Sequence, residues 1–254
     1  MNWVLLKKLE QKNRLLYWAF TGVIVFYFAM VVMMYPMIID MMSGENSGML
    51  GDFTAGWDNI GIYAVSLISE IVFSFGMILF VMLVFRLVHK PIEGGSLVPY
   101  LMVGISRTTY IKTVAAYLGM KLLLLFVLVL SIGMLSFVAL GETFIFTDFF
   151  LSVLMAVLAL AAVIFVSFFI ASVRPGMGLI IGIPVVFYLM MLLSQLYSGI
   201  EFLRWFSVFG WYDATGLAVG DGGLWWLVAI IYISMIAASF IFSARIFKKR
   251  NLGL

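Results

Sequence analysis

Residues 148–173 read DFFLSVLMAVLALAAVIFVSFFIASV, and their one ionisable residue, Asp148, stands at the first position. A helix of that length rises about 39 Å, more than the roughly 30 Å of hydrocarbon in a bilayer. The run is apolar on every side, so it offers no face to water. In lipid its backbone N–H and C=O groups must bond within the segment, which dictates an α-helix. A barrel strand would instead be about 10 residues of alternating polarity.

Five further stretches have the same character: about 17–39, 60–85, 115–139, 178–198 and 224–244. The expectation is an all-α integral membrane protein with six transmembrane helices, built as a single domain over 1–254. Composition agrees. Of 254 residues, 65% are apolar and 11% charged, against about 25% charged in a soluble domain. A soluble chain of this length cannot hide so much apolar surface, and disorder needs the opposite composition. These figures exclude a soluble enzyme, a secreted disulfide scaffold and a nucleic-acid partner. There is no cysteine, hence no disulfide and no thiolate metal site. The single histidine, His89, rules out HExxH, and no GxxxxGK[ST] phosphate loop is present. No paired carboxylates stand at helical spacing within a span, so no catalytic constellation is assembled and the chain reads as a non-enzyme.

Charge sets the orientation. Six spans put both termini on one side. The N-terminal segment carries Lys7, Lys8, Lys12 and Arg14, and Arg86 to Lys121 carries five basic residues. Arg174 and the tail group Arg245, Lys248, Lys249 and Arg250 bring that side to 14 of the 15 Lys and Arg, leaving Arg204 opposite. The positive-inside rule makes the 14-residue side cytoplasmic. The expected location is the cell (plasma) membrane, multi-pass, with both termini cytoplasmic.

Between the spans, three segments stand out. Residues 2–16 place Leu5, Leu6, Leu9 and Leu16 on one arc, as in an amphipathic helix lying in the cytoplasmic interface against anionic headgroups. The plainer alternative is a basic flank that only fixes orientation. Residues 86–112 form the longest cytoplasmic insert. Pro91 and Gly94–Gly95 break the preceding helix, Ser96 can cap a short helix through about Val103, and Gly104 can end it. Leu97, Tyr100 and Leu101 give that helix an apolar edge, for a partner protein or for the chain's own helices. On the outer side, Phe202, Trp205, Phe206 and Phe209 recur at i, i+3, i+4, i+7, as in a short helix half-sunk in the interface or re-entrant.

Glu70 is the clearest ionisable residue inside a span. Such groups are costly and often functional. It reads either as contact for a cationic substrate group or as a structural hydrogen bond, or as a wet position near the surface. Lys121 lies early in the third span, where its long stem can carry the ammonium to the cytoplasmic interface, at a different depth from Glu70.

This layout resembles the ABC-2 type permeases, the membrane subunits of one class of ABC exporter. The similarity rests on the basic segment before span one and on the insert after span two. In the insert, Glu93, Gly94, Leu97 and Leu101 precede Ser106–Arg107. It rests also on the ending Phe247-Lys248-Lys249-Arg250-Asn251-Leu252. Gly104 and Ile105 stand near where the family has proline, and Asn251 replaces an aspartate. The resemblance implies that two six-helix subunits pair as a homo- or heterodimer and that each docks a separate cytosolic ABC ATPase. On this basis Glu93, Gly94, Leu97, Tyr100, Leu101, Ser106 and Arg107 would form the ATPase-coupling segment. Glu70 would line the substrate pathway, and Phe202, Trp205, Phe206 and Phe209 would form an outer gate. The chain would bind no cofactor; ATP and Mg would sit on the partner ATPase. The family exports peptides, antibiotics, lipid-linked glycans and ions; an amphipathic antimicrobial or toxin peptide suits these apolar spans best, followed by lipids or hydrophobic drugs. The rival expectations are a non-transporting accessory or immunity protein and, more remotely, an intramembrane enzyme.

Overall fold

The computed structural model describes residues 2–42, 60–94, 97, 102, 104–141, 145–173, 176–196, 198–213, 216–217 and 223–249. These are almost wholly helical, with no strand among the described residues. Helix α1 spans Trp3–Met33, α2 Tyr35–Met42, α4 Arg107–Leu140, α5 Phe146–Val173, α6 Met177–Leu196, α7 Leu203–Phe206 and α8 Trp225–Lys249. Between α2 and α4, α3 runs over Ile60–Glu93. Six of these, all but α2 and α7, are long and apolar enough to cross a membrane.

Helices α3 and α5 are the middle of the bundle. About 67% of the apolar window of α3 and 72% of that of α5 is buried, against a third or less in α1, α4, α6 and α8. In lipid no hydrophobic force draws helices together, so close approach of small residues matters most. Helix α5 buries Ser152, Ala156, Ala159, Ala162, Ser167 and Ala171 among its larger residues. Gly133 of α4 leaves room for the Phe149 ring, and Gly76 of α3 for Leu160. Hydroxyls within the spans are satisfied locally. Ser136, Ser152, Ser167, Ser172 and Ser243 each donate to the carbonyl four residues earlier in their own helix.

Two expectations are corrected here. Residues 2–16 do not form a separate interfacial helix. They are the first turns of α1, which continues unbroken through Met33. The cause is one buried stripe, Leu5, Leu9, Asn13, Tyr17, Thr21, Ile24, Phe28 and Val32, that runs the whole length at steps of three and four. Helix α1 packs along both α4 and α3, and Asn2 caps the helix by accepting from the Leu5 N–H at 3.1 Å. The third span also begins earlier than the hydropathy implies, at Arg107, because Ser106 is its N-cap and accepts from the Thr109 N–H at 3.1 Å.

Helices α1 and α4 run parallel in a fixed register. The Asn2 N–H donates to Thr113 Oγ1 and Lys121 Nζ donates to Glu10, a separation of 111 residues in both cases. Two helices separated by one spanning helix must point the same way, and they do.

Helix α3 is not uniform. Val72–Gly76 and Phe85–His89 are π-helical turns set into it. Single π turns inside an α-helix cluster at functional positions. Each one here has a hydroxyl bonded at it, its own in the first and one from α4 in the second. Ser74 Oγ donates to the Glu70 carbonyl at 2.6 Å just before the first, and the Tyr110 hydroxyl donates to the Leu87 carbonyl at 2.8 Å in the second.

Candidate functional site

Glu70 lies about 15 Å along α3 from its N-terminal end at Ile60. Its side chain is exposed on the flank of the bundle rather than turned inward. The Tyr188 hydroxyl of α6 lies beside the Ser74 side chain and feels the Glu70 charge, so three polar groups from α3 and α6 share one patch at mid-depth. Tyr27 and Phe75 border it, with ring centroids 6.1 Å apart. Among the described residues no Lys or Arg lies within ion-pair distance of Glu70. A carboxylate left charged in hydrocarbon costs about 2.5–3.5 kcal/mol. The patch therefore asks for a cation, a proton or water from outside this chain.

Toward the N-terminal end of α3, the segment after α6 dives into the bundle. Ser207 Oγ donates to the Phe187 carbonyl at 2.6 Å, nine residues before the end of α6 and so about 14 Å below it. The Tyr232 hydroxyl donates to the Val208 carbonyl at 2.8 Å. At the tip the Phe209 ring meets Phe73 of α3 at 4.5 Å and Tyr188 at 6.4 Å. Arg204 holds the turn together from within, through Nε to the Gly210 carbonyl at 2.7 Å and a guanidinium 3.8 Å from Asp213. The Tyr212 hydroxyl is buried without a hydrogen-bond partner, and burial pushes its pKa up, with Tyr232 and Asp213 adding to the shift.

The four outer aromatics do not share one helical face. Helix α7 ends at Phe206, and Ser207 takes extended backbone. Phe202, Trp205 and Phe206 stay exposed, while Phe209, on a following 3₁₀ turn, is fully buried. Phe209 is the buried tip of this segment, and the other three form its exposed rim.

At the opposite end, Glu93 and Gly94 close α3. The Gly94 N–H donates to the Lys90 carbonyl at 2.9 Å, and the exposed Glu93 carboxylate sits 3.0 Å from His89 Nε2. The His89 ring is buried against Phe85 at 4.7 Å. Ser106 and Arg107 open α4, and the Tyr110 hydroxyl ties that start back to α3 through Leu87. Tyr110 also stacks on Phe247 of α8 at 6.4 Å. Leu97 is buried in the chain's own core, and its N–H donates to the Pro91 carbonyl. The apolar edge offered to a partner is thus not present at Leu97. Tyr100 and Leu101 lie outside the described residues. Gly104 takes φ +84°, a conformation that glycine alone adopts without strain.

Lys121 does not reach for solvent. It is buried, and its ammonium donates to Glu10 Oε1 at 2.9 Å and lies 2.7 Å from Oε2 in an ion pair. The Tyr17, Tyr117 and Trp18 rings lie 4.2, 5.6 and 6.0 Å from the ammonium. The Tyr17 hydroxyl donates to the Lys121 carbonyl at 2.8 Å. The sequence reading passed over Glu10, because one acid among four basic residues reads as part of a charged flank. The available signal was its position beside Leu9 and Asn13 on the stripe that continues into the span. Tyr188 was missed as well, since periodicity within one span does not say which neighbour it faces.

Among the described residues no three His, Cys, Asp or Glu side chains group as metal ligands. No protein-family model, curated protein or solved structure matches this chain.

Proposed function

We propose that this chain is the permease subunit of an ATP-driven exporter, paired with a second permease subunit and driven by a separate cytosolic ATPase. The observation that carries the reading is an asymmetry around Glu70. The Glu70–Ser74–Tyr188 patch is open on the flank of the bundle, while the Phe209 hairpin fills the bundle on its outer side. A cationic amphipathic solute meets the patch from the membrane or the cytosolic side and leaves only when the hairpin moves. An antimicrobial or toxin peptide has that chemistry, with a basic group for Glu70 and apolar side chains for the spans.

The drive enters at the other end. ATP and Mg act on the ATPase, which grips the segment from Glu93 to Arg107. Leu87 and Tyr110 join that segment to the second π turn of α3, so movement of the insert is felt in the helix that carries Glu70. The ATPase shifts the balance of permease states only by contacting them differently. In this reading the protein is a multi-pass plasma-membrane protein with cytoplasmic termini.

The test is to seek a Walker-containing ATPase in the neighbouring reading frames and co-express it with this chain, followed by co-purification and ATP-dependent uptake of a cationic peptide into inverted vesicles. Glu70→Gln should reduce uptake at least ten-fold with the complex intact. Glu93→Lys combined with Leu101→Asn should release the ATPase. Full uptake in Glu70→Gln removes the patch from the path, and an intact complex in the double variant removes the coupling assignment.

A further inference from the structure

Below the Glu70 patch, α3 and α6 leave between them a groove of about 320 Å³. Met77, Ile78, Val81, Met82, Ile181 and Val185 are among its walls, and Arg86 stands at one end beside Met177. Several of these wall residues are exposed on the outside of the bundle, so the groove opens sideways into lipid. From Met77 to Arg86 is nine residues, about 13 Å of helix. One leaflet's hydrocarbon is about 15 Å deep. The groove thus matches one leaflet in depth and has one charge, at its end.

That charge is placed where headgroups lie. Met177 is the first residue of α6, so Arg86 sits level with the membrane edge of that helix. Lys90 follows one turn later and is exposed. Among the described residues no carboxylate pairs with Arg86. A guanidinium takes a phosphate through two parallel N–H bonds, which an ammonium does not. Methionine side chains, three of them along this groove, adapt to a chain of irregular shape.

We infer that the α3–α6 groove holds one acyl chain of an anionic phospholipid from the basic-side leaflet, with its phosphate on Arg86. The lipid covers the open flank of α3 directly below Glu70 and takes up the surface along which α3 and α6 would otherwise slide. This inference rests on the membrane reading and on the groove, not on the exporter reading, and it stands or falls separately.

The experiment is native mass spectrometry of the purified chain after delipidation and re-addition of equal phosphatidylglycerol and phosphatidylcholine. Wild type should retain phosphatidylglycerol preferentially. Arg86→Gln should lower that preference about five-fold, the weight of one basic side chain at an anionic surface. Ile181→Trp, which fills the groove, should lower retention of both lipids. Lys248→Gln, an exposed charge on α8 away from the groove, should leave the ratio as it was. An unchanged lipid ratio in Arg86→Gln overturns the inference. So does a disulfide-linked dimer formed in membranes by Ile181→Cys, because a second copy would then cover the groove. The chain has no native cysteine to confuse that result.

Discussion

Among the carboxylates on the spanning helices, the chain treats Glu10 and Glu70 in opposite ways. Glu10 is enclosed: it shares both oxygens with Lys121, and aromatic rings surround the ammonium. Glu70 is open, with a serine and a tyrosine near it and no cation among the described residues. Depth explains part of the contrast. The fixed register of α1 and α4 puts the Glu10–Lys121 pair level with Lys7, Lys8, Lys12 and Arg14. The apolar part of α1, residues 15–33, begins only above it and rises about 28 Å. The enclosed pair is a joint between two helices at the membrane edge. The open acid lies within the span, where only a ligand or a partner can complete it.

The comparison breaks most sharply if Glu10 is replaced. Glu10→Gln leaves the Lys121 ammonium buried without its counter-charge, which should cost about 3–5 kcal/mol. The double variant Glu10→Leu with Lys121→Met removes both charges and should recover most of that loss. Equilibrium unfolding in mixed micelles reads both. If Glu10→Gln and the double variant are both as stable as wild type, the pair contributes no coupling and is not a joint.

Glu70→Gln should go the other way. Removing a charge from hydrocarbon should raise stability, by up to about 2–3 kcal/mol where the acid is ionised at rest. Transport of a basic solute should fall in the same variant. A loss of stability comparable to that in Glu10→Gln would show that Glu70 is a structural contact, and the contrast between the two acids would disappear.

Six spans were legible because lipid imposes one rule on every segment, and the 26 residues of 148–173 already obey it. The ends were less legible. Hydropathy falls at Arg107 and Lys112, yet the helix continues, because a helix need not stop where the membrane does. Glu70 was visible as an isolated charge in an apolar run. Its companions were not, since Tyr188 comes from a helix more than a hundred residues later and only packing brings it close. The spacing of Phe202, Trp205, Phe206 and Phe209 suggested one face. Ser207 breaks it, because its hydroxyl finds a carbonyl deep in α6. The π turns of α3 leave no mark in Val72–Gly76 or Phe85–His89 that composition reveals.

The segment that carries Phe209 sharpens what "open" means for Glu70. Ser207→Ala removes the bond to the Phe187 carbonyl and should cost about 1 kcal/mol. The informative readout is access rather than stability. In the cysteine-free chain, Glu70→Cys should react slowly with a membrane-impermeant thiol reagent added outside, and adding Ser207→Ala should speed it several-fold. Equal rates with and without the serine would mean that the hairpin does not shield Glu70 from the outer side.

The smallest effect belongs to Tyr17, and it separates the parts of the enclosed site. Tyr17→Phe keeps the ring against the Lys121 ammonium and loses only the hydroxyl that donates to the Lys121 carbonyl. Hydrogen bonds between helices in membranes average about 0.6 kcal/mol and reach about 1.7. The loss should fall in that range, well below that of Glu10→Gln. Tyr17→Leu removes the ring's charge-attracting face as well and should lose a further 0.5–1 kcal/mol or so. The two variants behave alike if the ring only fills space. A larger fall in Tyr17→Leu that vanishes in the Lys121→Met background would assign the difference to the cation, and would make the enclosed site an ion pair held inside a ring of aromatics rather than a pair alone.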